Sequence, residues 1–382
     1  MIQKRISSFD GLRGIAIFLV LLDHAKNTIH SKSEIWNLAS IFIANSSLGV
    51  RLFFVLSGYL ITLILLKEIN GSGIIDLKRF YVRRAIRLFP SLYCFIVVVF
   101  IINLIAHLNI NAEQFIAAAT FTWNYLGPFH NGTLRGTWFL GHLWTLSLEE
   151  QFYLLWPLIL LLLGINKSRK LSFILILSMP IIRVASYFLF PSVKGYLNMM
   201  LHTSIDSIMV GCLMAILTLF PVLSERIYKL KGFSIVILLI WPLFITPILD
   251  HLIRGYLISI GITIDAIILG ILIAWLHANP LSYANKLLSI PVIVYIGKIS
   301  YSLYIWQQLF LTNDNTTISG IFPYNIGFSL LAGLTSYYLI EKPCLKLKDS
   351  NKLSALLGLN QYSGSQLSEV QEPRPQHPPR KQ

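Results

Sequence analysis

The sequence predicts an all-α protein, a polytopic integral membrane helical bundle of about ten transmembrane helices. Three observations carry that reading. The 382 residues are 55% hydrophobic and only 13% charged, with a mean hydropathy of +0.67, outside the usual range of soluble domains. Runs such as Gly232–Leu249 and Tyr256–Leu276 reach the roughly 20 apolar residues that a bilayer helix needs. Lysine and arginine fall mainly in alternate loops, as the positive-inside rule requires.

Taken in order, the apolar runs place helices at about 11–29, 47–66, 86–108, 140–164, 171–190, 201–220, 232–250, 256–277, 290–311 and 320–341. Residues 112–128, moderately apolar and aromatic, read as a re-entrant or interfacial segment. With the amino terminus inside, the cytoplasmic segments hold Lys4, Arg5 and Arg13, the cluster Lys67 to Arg87, Lys167 to Lys170, Arg226 to Lys231, Lys286, and Lys342 to Lys348. The opposite side receives only Lys26, Lys32, Arg51, Arg135, Lys194 and Arg254, so both termini are expected in the cytoplasm. The net charge of +14 is thereby a topology signal, not a nucleic-acid footprint.

The first apolar run ends in Asp-His-Ala-Lys without a small-x-small site, so a cleaved signal peptide is not expected. Cys94, Cys212 and Cys344 are far apart and read as packing residues; neither a disulfide framework nor a metal site is indicated. Residues 1–345 form the expected transmembrane domain. From 346 to 382 the chain is rich in Pro, Gln, Ser and charge, the composition of a disordered cytoplasmic tail.

Ionisable groups within membrane spans are costly, and each one asks for a partner or a task. Arg13 and His24 are eleven residues apart, about 1,100° of helical rotation, so they share a face about 16 Å apart along the axis. Arg13 read alone is a snorkelling anchor, and His24 a cap beside Asp23. In "KRFYVRRAIRLFPSLY", Arg83, Arg84 and Arg87 stack at i, i+3 and i+4, which suits a cytoplasmic anchor and equally a phosphorylated ligand, whose oxygens guanidinium forks match. In "TWFLGHLWTLSLEEQFYLLWP", His142 and Glu149 lie two turns apart on one face, with Glu150 beside them and Trp138, Trp144, Phe152, Tyr153 and Trp156 as an interfacial belt. Asp206 and Asp265, in otherwise apolar helices, read as partners of buried arginine, serine or backbone.

Seven segments, "FDGLRGIAIFLVLLDH", "LGVRLFFVLSGYLIT", "RRAIRLFPSLY", "GHLWTLSLEEQFYLLWP", "IDSIMVGCLMA", "GKISYSLYIW" and "YYLIEKP", together resemble the membrane-bound acyltransferase-3 family in order and spacing over residues 9–343. The resemblance implies a bacterial inner-membrane O-acyltransferase. Such an enzyme moves an acyl group, usually acetyl, from acyl-CoA to a hydroxyl of a carbohydrate or other exported metabolite, without a metal. The family's Arg-x10-His pattern falls on Arg13 and His24, its Arg-x-x-Arg pattern on Arg84 and Arg87, and the acid of its Trp-Ser-Leu-x-x-Glu motif on Glu149, with Thr145 in place of Ser. Where relatives often carry His after the Tyr-Ile-Trp ending, this chain has Gln307 and Gln308. Many relatives also carry a soluble esterase-like domain after the last helix, for which the residues beyond Glu341 are too few.

Residues and resemblance together set these expectations. Arg13, Arg83, Arg84 and Arg87 hold the phosphates of the acetyl-CoA cosubstrate. His24 acts as general base or transient acyl carrier, with Asp23, Glu149, Glu150 and His142 as supporting acid/base groups. The partners are the acyl-CoA donor, a glycan or lipid-linked glycan acceptor, and membrane lipids. A secondary transporter is the rival, because it too places His, Glu, Asp and Arg in the membrane, but the paired broken helices of two repeated halves are missing from the sequence.

Overall fold

The computed structural model describes residues 6–29, 40–130, 137–312 and 318–348. Within them the chain is helical throughout, with no strand. The disordered tail expected after 346 lies outside the described residues from 349 onward, while Lys346–Lys348 close a short final helix, Lys342–Lys348.

Five helical stretches among the described residues are long and apolar enough to cross a membrane: Ser40–Ser72, Leu77–Ala106, Thr137–Leu189, Gly232–Leu252 and Leu257–Ala278. The other expected spans form helices that miss this test for visible reasons. Helix α1, Ser7–Lys26, carries Asp10, Arg13, Asp23 and Lys26. Helices α5, Asp206–Leu217, and α8, Pro291–Trp306, run only 12 and 16 residues. The last, α9, Tyr324–Ser336, with its π-turn continuation Tyr337–Glu341, is diluted by Asn325, Ser329, Thr335, Ser336 and Glu341.

Between α1 and α5 stand α2, Ser46–Ser72, α3, Leu77–Ala106, and α4, Leu143–Leu189. At 1.5 Å per residue α4 would reach about 70 Å, more than twice a bilayer core of about 30 Å. It does not run straight: Gly164, at φ 70°, has non-helical backbone and breaks it in two, near the boundary expected between 164 and 171. The predicted re-entrant or interfacial segment forms two short helices, Ala112–Ala119 and Trp123–Phe129. Helices α6, Gly232–Leu252, and α7, Leu257–Ala278, each contain a π turn.

Helix α1 packs against α8 and α2, and α2 against α5. The α1–α8 crossing is tight because glycines face backbone: a Cβ on Gly14 would strike the Ile293 carbonyl and one on Gly297 the Asp10 carbonyl. Small residues at a membrane helix crossing permit this approach, and it brings the end of α8 beside the end of α1.

Two buried ion pairs cross-link the other helices. Arg183 of α4, fully buried, donates through Nη1 to Asp206 Oδ2 at 2.9 Å and through Nη2 to Thr263 Oγ1 at 2.6 Å. Arg51 Nη2 lies 3.0 Å from Asp265 Oδ2, while Thr246 Oγ1 donates to Asp265 Oδ1 at 2.7 Å. The two aspartates are therefore partners of buried arginines, as their apolar surroundings led one to expect. Large apolar side chains such as Ile105, Leu162, Phe188 and Leu339 point outward, as a hydrocarbon solvent favours.

Candidate active site

His24, in the last turn of α1, lines a cavity of about 420 Å³. Its Nδ1 is 2.9 Å from Gln307 Oε1. An amide oxygen only accepts, so this contact places the proton of the neutral ring on Nδ1 and leaves the Nε2 lone pair unprotonated. Gln307 reaches the ring because α8 ends in a 3-10 turn, Gln307–Leu309, that buries both Gln307 and Gln308.

Trp138 stands edge-on to His24 with ring centroids 5.6 Å apart and donates its indole N–H to the Gln308 carbonyl at 3.1 Å. Gln308 Oε1 accepts from the His142 backbone N–H at 3.2 Å. The His142 imidazole, also in the cavity wall, donates through Nε2 to the Ile305 carbonyl at 3.0 Å. Trp144, Asn124 and Asn198 complete a lining of aromatic faces and amides.

Asp23 does not orient His24. Neighbours on a helix project about 100° apart, and the Asp23 carboxylate turns away to Lys26 Nζ, 2.6 Å, and to a very short hydrogen bond from Ser46 Oγ.

A second cavity, of about 210 Å³, holds the arginines. Arg13, Arg84 and Arg87 line it together with Glu149, and apolar side chains such as Phe53, Leu60 and Leu88 form its remainder. Arg84 is clamped, its Nε donating to Glu150 Oε1 at 2.9 Å and its guanidinium lying 3.0 Å over the Tyr153 ring. Glu149 accepts from Ser57 Oγ at 2.9 Å, and Arg13 Nη1 donates to Asp10 Oδ1 at 3.1 Å. Arg83, expected with the other arginines, is not in this wall. His142, expected on one face with Glu149, precedes the first turn of α4, and the two line different cavities. Glu150 serves Arg84, and neither glutamate meets His24.

The two cavities stand back to back. Val50, Phe54 and Tyr304 line both. The Tyr304 hydroxyl donates to the His142 carbonyl at 2.8 Å and lies 2.7 Å from Thr145 Oγ1, so its ring is held in the wall that the two cavities share. Asp10, Ser57 and Tyr304 were not singled out from the sequence; the i, i+3 spacing of Asp10 and Arg13 was the one legible hint. Gln307 was visible as a departure after "YSLYIW", but not as the partner of a residue 283 positions earlier.

Comparison with known proteins follows the same residues. The family profile described as "Acyltransferase domain", that of the acyltransferase-3 family, matches residues 6–340. The peptidoglycan O-acetyltransferase OatA of Listeria monocytogenes serovar 1/2a is 30% identical over 331 residues, covering 81% of this chain and 50% of that protein. The O-acetyltransferase OatA of Staphylococcus aureus (strain NCTC 8325 / PS 47) is 30% identical over 378 residues, 90% of this chain and 58% of its own length. A relative from Staphylococcus aureus (strain COL) reaches 31% over 373 residues, again 90% and 58%. The chain thus spans little more than half the length of these relatives. No solved structure matches it significantly. With the profile covering nearly the whole helical region, and with several helices apolar enough to cross a bilayer, the chain belongs to the acyltransferase-3 family of membrane acyltransferases.

Proposed function

We propose that the protein is an O-acetyltransferase of the bacterial inner membrane that moves acetyl from acetyl-CoA to a hydroxyl of a cell-surface or exported glycan. The observation that carries this reading is the pair of cavities on either side of Val50, Phe54 and Tyr304, one with three arginines and one with His24. The names of the OatA relatives support O-acetylation, one of them on peptidoglycan.

The arginine cavity fits the donor chemically. Guanidinium groups in its wall match phosphate oxygens, and its apolar remainder suits a slender uncharged arm that carries a thioester inward. The other cavity, lined by indoles, amides and hydroxyls, offers what a sugar needs: flat apolar faces for its C–H groups and short polar partners for its hydroxyls. His24 Nε2 takes the proton of the acceptor hydroxyl as the oxygen attacks the thioester carbonyl. The C–O bond forms, the C–S bond breaks, and the imidazolium returns its proton to the departing thiolate. Gln307 keeps the ring in the tautomer that this step requires.

In the membrane, α4 contributes two spans divided at Gly164. With the shorter or more charged helices counted, about ten spans place both termini in the cytoplasm and the arginine cavity toward the cytosol. The test is structural analysis of surface glycans from cells with and without the protein. Loss of one O-linked acetyl ester in its absence is expected; identical ester content in both would reject the reading.

A further inference from the structure

A third cavity, of about 690 Å³, lies at the same end of the bundle as the His24 cavity, and the two share Ser46, Ser47 and Arg51 in their walls. Asp23 and His24, consecutive in α1, face one each. The boundary between them is rigid. Arg51 is pinned by Asp265 at 3.0 Å and donates to Ser47 Oγ at 2.6 Å, while Ser46 is bonded to the Asp23 carboxylate. The two cavities thus adjoin across Ser46, Ser47 and Arg51.

The third cavity carries charged groups and an aromatic ring of its own. Asp23 and Lys26 form one wall as an ion pair of 2.6 Å. Asp250 and His251, both exposed at the end of α6, form another. Phe42, its ring 5.4 Å from that of Phe244, supplies an aromatic face. Carboxylate, ammonium and imidazole around an aromatic ring bind a polyhydroxylated ring from its edge and its face at once.

The geometry points to a second acceptor subsite: the third cavity takes the sugar residues next to the one that is acylated, so the acceptor is an oligosaccharide or polymer and not a free monosaccharide. This rests on the reading that the His24 cavity receives a sugar hydroxyl. A volume of about 420 Å³ lies within the range of cavities for one small ligand. A glycan chain that outgrows it has the third cavity as its neighbour across Ser46, Ser47 and Arg51.

The experiment compares monosaccharides with their β-linked tetramers, hexose and N-acetylhexosamine series in parallel, as acceptors of labelled acetyl from acetyl-CoA, using the full chain in nanodiscs. The best tetramer is expected to exceed its monomer in kcat/KM by about tenfold or more, mainly through KM. With His251→Ala and Asp250→Asn combined, that tetramer-to-monomer ratio should fall toward unity. Asn at 250 keeps an oxygen for the bond that Asp250 Oδ1 accepts from the Leu257 N–H at 3.1 Å. Equal use of monomer and tetramer by the parent protein, or an unchanged ratio in the variant, overturns the second subsite while leaving the acetyltransferase reading intact. Transfer to no member of either series overturns the glycan reading and the subsite with it.

Discussion

Gln307 Oε1 meets His24 Nδ1 at 2.9 Å across 283 residues of sequence, where α8 ends beside α1. A neutral amide can fix the tautomer of the imidazole without adding charge to a buried site, and that is the arrangement a general base needs. Gln307→Leu, which keeps the bulk and removes the acceptor, should lower kcat on the order of ten- to a hundredfold with little change in KM for either substrate. Gln307→Glu restores an acceptor and should recover part of the loss. Equal kcat in the parent and the Leu variant would show that the contact only packs the helix ends.

His24→Ala should abolish transfer while the protein still inserts and folds, since a methyl group neither takes a proton nor carries an acyl group. Turnover near that of the parent, measured on purified protein with an unaltered elution profile, would remove His24 from the chemistry.

The arginines should fail differently. Arg13→Ala, Arg84→Ala and Arg87→Ala each remove charge-assisted hydrogen bonds of about 1.5–3 kcal/mol, so KM for acetyl-CoA should rise about 10- to 100-fold or more. Arg→Lys variants keep the charge and lose the planar fork, and should restore donor binding only in part. Steady-state kinetics with varied acetyl-CoA checks this, and full donor affinity in all three Lys variants would return the cluster to the role of a membrane anchor.

Tyr304 lines both cavities, so Tyr304→Ala should widen the space between them and admit water to the donor thioester. The expected sign is a higher ratio of acetyl-CoA hydrolysis to transfer. Tyr304→Phe, which keeps the ring and loses only the bonds to His142 and Thr145, should change that ratio much less. Hydrolysis and transfer falling together in the Ala variant would mark the ring as structural only.

The Arg183–Asp206 pair should matter to folding and not to chemistry. Removing one member leaves a buried charge, so Asp206→Ala should cost about 3–5 kcal/mol, whereas Arg183→Leu with Asp206→Leu should recover much of that. Thermal unfolding in detergent is the measurement, and a double variant no more stable than the single would contradict it.

The sequence was most legible where one helix carries the signal by itself. Hydropathy located the helices, and the helical period put Arg13 and His24 on one face and Arg84 with Arg87 in one row; in the structure Arg13, Arg84 and Arg87 line one cavity and His24 lines its neighbour. What local spacing cannot show is which helices touch. Asp23 was the natural neighbour of His24 on the chain, yet a rotation of about 100° per residue sends it toward Lys26 and Ser46. Gln307, whose place opposite His24 depends on the Gly14–Gly297 crossing, became a partner only in three dimensions. Glu149 and Glu150 were read as supports for a distant imidazole; burial among other helices gave them Ser57 and Arg84 instead. The count of spans was hard to read because α1 mixes charge with apolar length and α5 is short.

The most direct measurement reconstitutes the protein in proteoliposomes with its cytoplasmic face outward, supplies acetyl-CoA labelled in the acetyl group on that side, and seals a glycan acceptor inside. Labelled O-acetyl ester on the enclosed glycan, formed by the parent protein and not by His24→Ala, is the expected result. Label remaining on CoA or appearing only as free acetate with the parent protein, or ester formed equally well by His24→Ala, would contradict acyl transfer at His24 across the Val50, Phe54 and Tyr304 partition.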